Sequence, residues 1–167
     1  TLSGEPARGA LAISRALRRI GMPFLWVGPG ADVGWSYVAA NADAPEAHYA
    51  HLSRPQFWTA MAYAEVIVGN SSAGIIEAAS FGLPVVNVGD RQRGRLAPPN
   101  VFHVPPDADA IHRQIEDILR YGEKSVIAFA GLENPYGDGH ASRRIADILE
   151  TEELGERLLM KRLAADP

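Results

Sequence analysis

The chain has 167 residues, a length typical of one domain that buries roughly two thirds of the surface its unfolded form would expose. It contains no cysteine, which excludes a disulfide framework and thiolate metal sites and favours a cytoplasmic location. A net charge of −4 with scattered basic residues argues against a nucleic-acid surface, and no apolar stretch is long enough to span a membrane.

Strand-like and helical patterns alternate along the chain. Short apolar stretches bounded by turn residues predict five strands, in chain order 24–27, 47–52, 66–68, 84–88 and 101–104. A glycine-proline turn is predicted at 28–30 and a loop at 125–138. Periodicity and capping residues predict helices, in chain order one that ends at Gly21, then 35–40, 55–64, 72–81, one that Asp107 caps, 140–149 and 153–163.

Short apolar strands separated by helices are typical of a parallel sheet that helices cover on both faces. We therefore expect an α/β fold with a Rossmann-like, doubly wound parallel sheet over residues 1–150. Residues 151–167 are more highly charged, and we expect them to form a C-terminal helix that packs towards an N-terminal domain.

The segment 68–89, VGNSSAGIIEAASFGLPVVNVG, has the pattern of a ligand site. A strand ends at its first glycine and a helix begins after a small polar loop, which is where parallel α/β sheets bind ligands. Backbone N–H groups of the first helical turn suit a phosphate, and Ser71 and Ser72 add hydroxyl donors. Gly74 allows close approach, and Glu77 suits the two hydroxyls of a ribose. Equally, both serines can simply cap the helix, and Glu77 can be an acid favoured by the helix dipole.

A second glycine-rich turn, GDRQRGR at 89–95, follows the next predicted strand. Arg91 directly follows the strand end, and a guanidinium group can bind phosphate through two parallel hydrogen bonds. The alternative is a solvated loop that touches no ligand. Among the aromatic residues, Trp26, Phe57 and Trp58 are expected in the core. No metal site is predicted, because no metal-ligand spacing joins the five histidines, His48, His51, His103, His112 and His140.

These residues closely resemble the motif of UDP-N-acetylglucosamine 2-epimerases, and the Asn70-Ser71-Ser72 form resembles the hydrolysing type, which releases UDP and N-acetylmannosamine for sialic acid biosynthesis. The resemblance extends from residue 1 to about residue 149, and it implies one half of a GT-B fold. It implies UDP or UDP-N-acetylglucosamine as ligand, without a cofactor. The implied contacts are the diphosphate with Ser71, Ser72 and Gly74, the phosphate or sugar side of the cleft with Arg91, the ribose with Glu77, and uracil with the loop His51, Leu52 and Ser53; Asn70 belongs to the same UDP site.

The resemblance also implies a reaction that this chain does not complete alone. UDP is eliminated to give a 2-acetamidoglucal, and water then adds to set the manno configuration; the acid and base groups are expected in an N-terminal half. We expect this chain alone to be inactive and the full-length protein to be an enzyme that can form a homodimer. Two alternatives stay open: the donor-binding half of another GT-B glycosyltransferase, and a non-enzymatic nucleotide-binding module.

Overall fold

The computed structural model describes residues 5–28, 48–121, 129–152 and 155. The chain forms two compact units, Thr1–Tyr136 and Gly137–Pro167. In the first unit the described strands are, in chain order, β1 (Trp26–Val27), β2 (His48–Tyr49), β3 (Ile67–Gly69), β4 (Val85–Val88) and β5 (Val101–Val104). The described helices of that unit are α1 (Glu5–Ile20), α2 (Arg54–Tyr63), α3 (Ser72–Ile76), the 3₁₀ helix η1 (Ala78–Phe81) and α4 (Ala108–Tyr121).

All described strand pairs are parallel, as predicted. One sheet has the order β3-β4-β5, with Ile67 opposite Val85 and Val85 opposite Val101. The strands β1 and β2 form a separate two-stranded sheet. These two strands are shorter than the predicted stretches 24–27 and 47–52, and of their side chains Tyr49 is exposed.

The central strand β4 is buried along its whole length because helices cover both faces of the sheet. Its side chains alternate between two apolar clusters, as the pleat of a strand requires. Val86 and Val88 pack in the cluster that contains α1 and α4 residues, and Val85 packs in the cluster that contains α2 and η1 residues. This two-sided packing confirms the predicted doubly wound arrangement.

The helix α4 shows how closely its pattern predicts its structure. Asp107 accepts a hydrogen bond from the Ala110 N–H through Oδ1 at 2.9 Å, as expected of an N-cap. The apolar stripe is buried at each predicted position, which are Ile111, Ile115 and Ile118, while Leu119 packs against the same cluster.

The prediction of one continuous helix over 72–81 is wrong, because the chain turns at Glu77 between α3 and η1. The predicted closure at Gly82 is confirmed. This residue has φ of 60°, and its N–H bonds to the Ala79 carbonyl while the Leu83 N–H bonds to the Ala78 carbonyl. These two bonds form a Schellman motif, which favours glycine at the left-handed position.

In the second unit, helix α5 (Ala141–Thr151) matches the predicted helix over 140–149. The predicted turn at 29–30, the helices at 35–40 and 153–163, and part of the loop at 125–138 lie outside the described residues, apart from residue 155. None of the helices that the structure describes is both long and apolar enough to cross a membrane.

Candidate functional site

Two loops meet at the carboxyl edge of the three-stranded sheet, and a buried glutamine joins them. The Asn70 loop follows β3, and the turn at 90–95 follows β4. Gln92 in that turn is only 3% exposed and donates from Nε2 to the Asn70 carbonyl at 2.8 Å. Its Oε1 is buried with no hydrogen-bond partner among the described residues. The structure thus brings together the two segments that sequence predicts to hold a diphosphate.

The serines of the first loop are at the start of α3. Ser71 is the N-cap residue and accepts a hydrogen bond from the Ala73 N–H at 3.3 Å, so its capping role is present in the fold. It is exposed, and Ser72 is half-buried. The hydroxyl of an N-cap serine has two acceptor lone pairs and one donor, which leaves its O–H available to a ligand oxygen.

Gly74 has a packing role that the sequence did not predict. It is buried, and a Cβ atom at this position would lie 2.9 Å from Cγ1 of Val85. Glycine therefore allows α3 to lie directly against β4. The side on which the missing side chain would project faces the sheet, so close approach of a ligand to Gly74 would use its backbone from the other side.

Glu77 occupies the turn between α3 and η1, and Asn134 satisfies the backbone group that this turn releases. In a continuous helix the Ile76 carbonyl would accept from the Ser80 N–H, four residues later. Here the Ser80 N–H bonds to the Glu77 carbonyl at 3.0 Å. The Ile76 carbonyl accepts from Nδ2 of Asn134 at 2.8 Å, and the same amide group donates to the Ser80 hydroxyl. The turn at Glu77 is therefore a specified feature of the fold.

The Glu77 carboxylate is held from the neighbouring helix by a tryptophan. Trp58 donates from its indole Nε1 to Oε2 of Glu77 at 2.6 Å. The expected core position of Trp58 is wrong: its side chain is 42% exposed, and the Arg54 guanidinium lies 5.4 Å from its ring centroid. Phe57, by contrast, packs against the apolar cluster of α2 and η1, as expected.

The loop predicted to meet uracil leads into α2. His51 is exposed and Leu52 is half-buried, while Ser53 is the residue that precedes the helix. The Ser53 N–H and hydroxyl both donate to Oε1 of Gln56, at 2.9 and 2.8 Å. Since the Ser53 N–H and hydroxyl are engaged in helix capping, the backbone groups of His51 and Leu52 are the more available ones for contact with a base. Trp58 lies one turn after Arg54 on the same helix and bonds to Glu77, so α2 connects this loop to Glu77.

The arginines of the second loop lie at the protein surface. Arg91 is exposed, and Arg93 lies 3.9 Å from the Asp90 carboxylate in an exposed pair. Beside them, Asn87 on β4 is 1% exposed and donates to the Gly89 carbonyl at 3.3 Å. Its amide also lies 3.0 Å from Nδ1 of His103 on β5. Asn87 thus connects β4 to β5 at this edge of the sheet.

The described part of the chain holds no group of three or more histidine, aspartate or glutamate side chains that could bind a metal ion. The arrangement at the carboxyl edge combines a carboxylate acceptor, hydroxyl donors, first-turn N–H groups and an exposed guanidinium. These are the group types that can bind a polar anion with neighbouring hydroxyls.

Sequence reasoning missed three residues that shape this edge, namely Trp58, Gln92 and Asn134. Gln92 stands between two arginines in a polar turn, where local composition gives no sign of burial. Asn134 is 58 positions from Ile76, and a single sequence contains no signal for that contact. Trp58 had a signal that could have been used, because an indole carries one N–H donor that usually finds a protein acceptor where water is excluded from it.

Comparison with known proteins identifies related chains. A family model described as UDP-N-acetylglucosamine 2-epimerase matches residues 5–150. The UDP-N,N'-diacetylbacillosamine 2-epimerase (hydrolyzing) of Legionella pneumophila is 44% identical over 111 residues, which are 66% of this chain and 28% of that protein. The polysialic acid biosynthesis protein P7 of Escherichia coli is 32% identical over 118 residues, covering 68% of this chain and 30% of that protein. The chain thus spans less than a third of the length of these two relatives.

The fold also resembles a solved structure. The crystal structure of UDP-GlcNAc 2-epimerase from Neisseria meningitidis bound to UDP-GlcNAc superposes with a TM-score of 0.62 at 21% identity. The match covers 87% of this chain and 41% of that chain. This likeness shows that the chain has the Rossmann-like architecture of one half of a GT-B fold.

Proposed function

Because this chain belongs to the UDP-N-acetylglucosamine 2-epimerase family, we propose that it supplies the UDP-binding half of a hydrolysing 2-epimerase. The Gln92 bond to the Asn70 carbonyl carries the proposal, because it joins the two loops that would hold a diphosphate. The relative from Legionella pneumophila, whose name includes the hydrolysing activity, supports the choice of reaction type. The full-length protein would release UDP and an N-acetylmannosamine-type sugar.

In the proposed complex, the Asn70, Ser71 and Ser72 loop and the first-turn N–H group of Gly74 meet the diphosphate, and Arg91 of the second loop binds a phosphate group. Glu77 accepts the ribose hydroxyls. Uracil lies at the loop of His51, Leu52 and Ser53, mainly on the backbone of the first two.

The chemical contribution of this half is to stabilise the leaving group. In the proposed reaction a proton leaves C2 of the sugar and the bond from C1 to the UDP oxygen breaks, which gives a 2-acetamidoglucal and UDP. Water then adds its hydroxyl to C1 and a proton to C2. Negative charge grows on the diphosphate as the C1–O bond breaks, so donors fixed beside it lower the barrier. The acid and base for C1 and C2 would lie in a part of the full-length protein outside this chain, so we expect no turnover from this chain alone.

A glutamate substitution tests the proposal. Glu77→Gln keeps an oxygen that can accept from Trp58, but it removes the charge that strengthens two bonds to the ribose. We expect UDP to bind about tenfold or more weakly, since hydrogen bonds to charged groups are worth roughly 1.5–3 kcal/mol. Calorimetric titration of the wild type and variant with UDP and 2′-deoxy-UDP measures both the loss and the ribose preference.

Glu65→Gln is the matched control, because Glu65 is an exposed residue just after α2 and the same charge is removed. It should bind UDP as the wild type does. If Glu77→Gln bound UDP with wild-type affinity and only melted at a lower temperature, Glu77 would be a structural residue of the turn.

A further inference from the structure

We propose that Trp58 is a positioning residue, which fixes the Glu77 carboxylate for the ribose and so sets the preference for a ribonucleotide. This inference rests on the proposed function of Glu77. Its own support is the 2.6 Å bond from the indole Nε1 to Oε2, which joins two helical segments that are 19 positions apart in sequence.

The burial of Trp58 indicates that packing alone does not explain this residue. An indole is a large apolar group that usually lies in the core, yet 42% of Trp58 is exposed. Phe57, the residue beside it, supplies the contact with the apolar cluster of α2 and η1. What Trp58 adds at its position is a single N–H donor directed at a carboxylate.

The bond has a clear consequence for the geometry of Glu77. A glutamate at a partly exposed turn samples many rotamers, and ligand binding would have to select one of them. The Trp58 bond selects one before the ligand arrives. An ionised carboxylate offers about four acceptor positions, so one bond from Trp58 leaves room for both ribose hydroxyls.

The tryptophan is itself held from the start of its own helix. The Arg54 guanidinium lies 5.4 Å from the Trp58 ring centroid, one turn earlier on α2. Arg54 directly follows Ser53, the last residue of the proposed uracil loop. The same turn of α2 thus links the base loop to the ribose acceptor, which would align two parts of one nucleotide.

Trp58→Phe tests this role, because phenylalanine keeps an aromatic ring beside Arg54 and removes only the N–H donor with part of the ring. We expect UDP to bind the 167-residue chain roughly three- to tenfold more weakly, the range for losing the preorganisation of one side chain. We expect 2′-deoxy-UDP to lose less, so that the ratio of the two affinities falls towards the ratio in Glu77→Gln. In the Glu77→Gln background, Trp58→Phe should cause little further loss, because the two act through one contact.

Trp26→Phe on β1 is the matched control and should leave both affinities unchanged. If Trp58→Phe retained the wild-type ratio while Glu77→Gln lost it, the positioning role would be wrong and the function proposed for Glu77 would stand. Equal weakening of both nucleotides with a lowered melting temperature would also overturn it, in favour of a structural role. If the wild type bound UDP but neither variant altered the ratio, Glu77 and Trp58 would both lose their roles; if the wild type bound no UDP, the proposed function would fail as well.

Discussion

The two ends of the central strand β4 each have a buried carboxamide, and the two side chains join different parts of the molecule. At the amino end, Asn100 is fully buried and its side-chain amide donates to the Leu83 carbonyl at 2.6 Å, while its backbone carbonyl accepts from the Val85 N–H. At the carboxyl end, Gln92 is 3% exposed and donates to the Asn70 carbonyl. The side-chain oxygen of each, Oδ1 of Asn100 and Oε1 of Gln92, has no hydrogen-bond partner among the described residues.

The difference between them lies in what each amide connects. Asn100 ties the chain that enters β4 to the chain that enters β5, on the side of the sheet away from the ligand loops. Gln92 ties two loops at the edge where parallel sheets bind ligands. A buried amide therefore indicates only that local geometry is fixed, and its position in the sheet decides whether that geometry serves stability or binding.

The largest effect is expected from Asn100→Leu. Leucine has the same number of side-chain heavy atoms but cannot donate, so the buried Leu83 carbonyl loses its partner, and its two methyl groups take more space than the planar amide at a fully buried site. We expect the free energy of unfolding to fall by roughly 2–4 kcal/mol, the sum of an unpaired carbonyl and overpacking. Urea denaturation measures this loss. UDP affinity under native conditions should be unchanged, and a weakened affinity in the folded variant would remove the distinction between the two ends of β4.

The matched change Gln92→Leu should lower stability less than Asn100→Leu does and, unlike that change, should weaken UDP binding. The Asn70 carbonyl loses its bond at a half-buried loop, so we expect a loss in unfolding free energy of about 1–2 kcal/mol. UDP should bind roughly three- to tenfold more weakly, because one bond of about 1 kcal/mol no longer holds together the two loops proposed to bind the diphosphate. The same denaturation and titration experiments apply. Normal UDP binding by Gln92→Leu would mean that the loops keep their positions without the bond from Gln92 to the Asn70 carbonyl.

Local sequence signals predicted the parts of the fold that depend on neighbouring residues. The apolar stripe of α4 with its Asp107 cap and the glycine closure at Gly82 are such features. The parallel sheet also followed from the alternation of apolar strands and helices. Boundaries differed by up to three residues at the ends of the short strands β1 and β2.

The features that sequence did not predict depend on distant contacts. The turn at Glu77 requires the Asn134 amide, which satisfies the Ile76 carbonyl from a separate loop. Without that contact, residues 72–81 have the pattern of one helix. In the candidate site the proposed ligand contacts come from the strand-loop-helix motif, whereas the bonds that Trp58 and Gln92 make there were not predictable from it. Positioning residues act through tertiary geometry, and their identities are weakly constrained by local pattern.

The smallest effect on stability is expected at a polar cluster in the second unit. It tests whether the burial of a polar side chain or its number of hydrogen bonds decides how much that side chain stabilises the fold. Asp138 makes more hydrogen bonds than Gln92: both its oxygens accept from Arg144, at 3.0 and 2.9 Å, and Oδ1 accepts from the His140 N–H. The Arg144 hydrogen bond, followed by the His140 backbone bond, holds the pKa of the Asp138 carboxyl well below its ordinary value. A carboxyl whose pKa is lower in the folded than in the unfolded state stabilises the fold above its unfolded pKa of about 3.9, and this contribution is lost as the pH falls further.

Asp138→Asn should therefore lower the melting temperature by less than either buried-amide variant at neutral pH, because the cluster lies in water and solvent screens it. The difference from the wild type should persist from neutral pH to about pH 5 and shrink below pH 4, where the wild-type carboxyl also begins to lose its advantage. Melting temperatures of both proteins across this pH range provide the measurement. A loss at neutral pH as large as that of Asn100→Leu would show that bond number outweighs burial, and a difference that grew on acidification would contradict the assigned direction of the pKa.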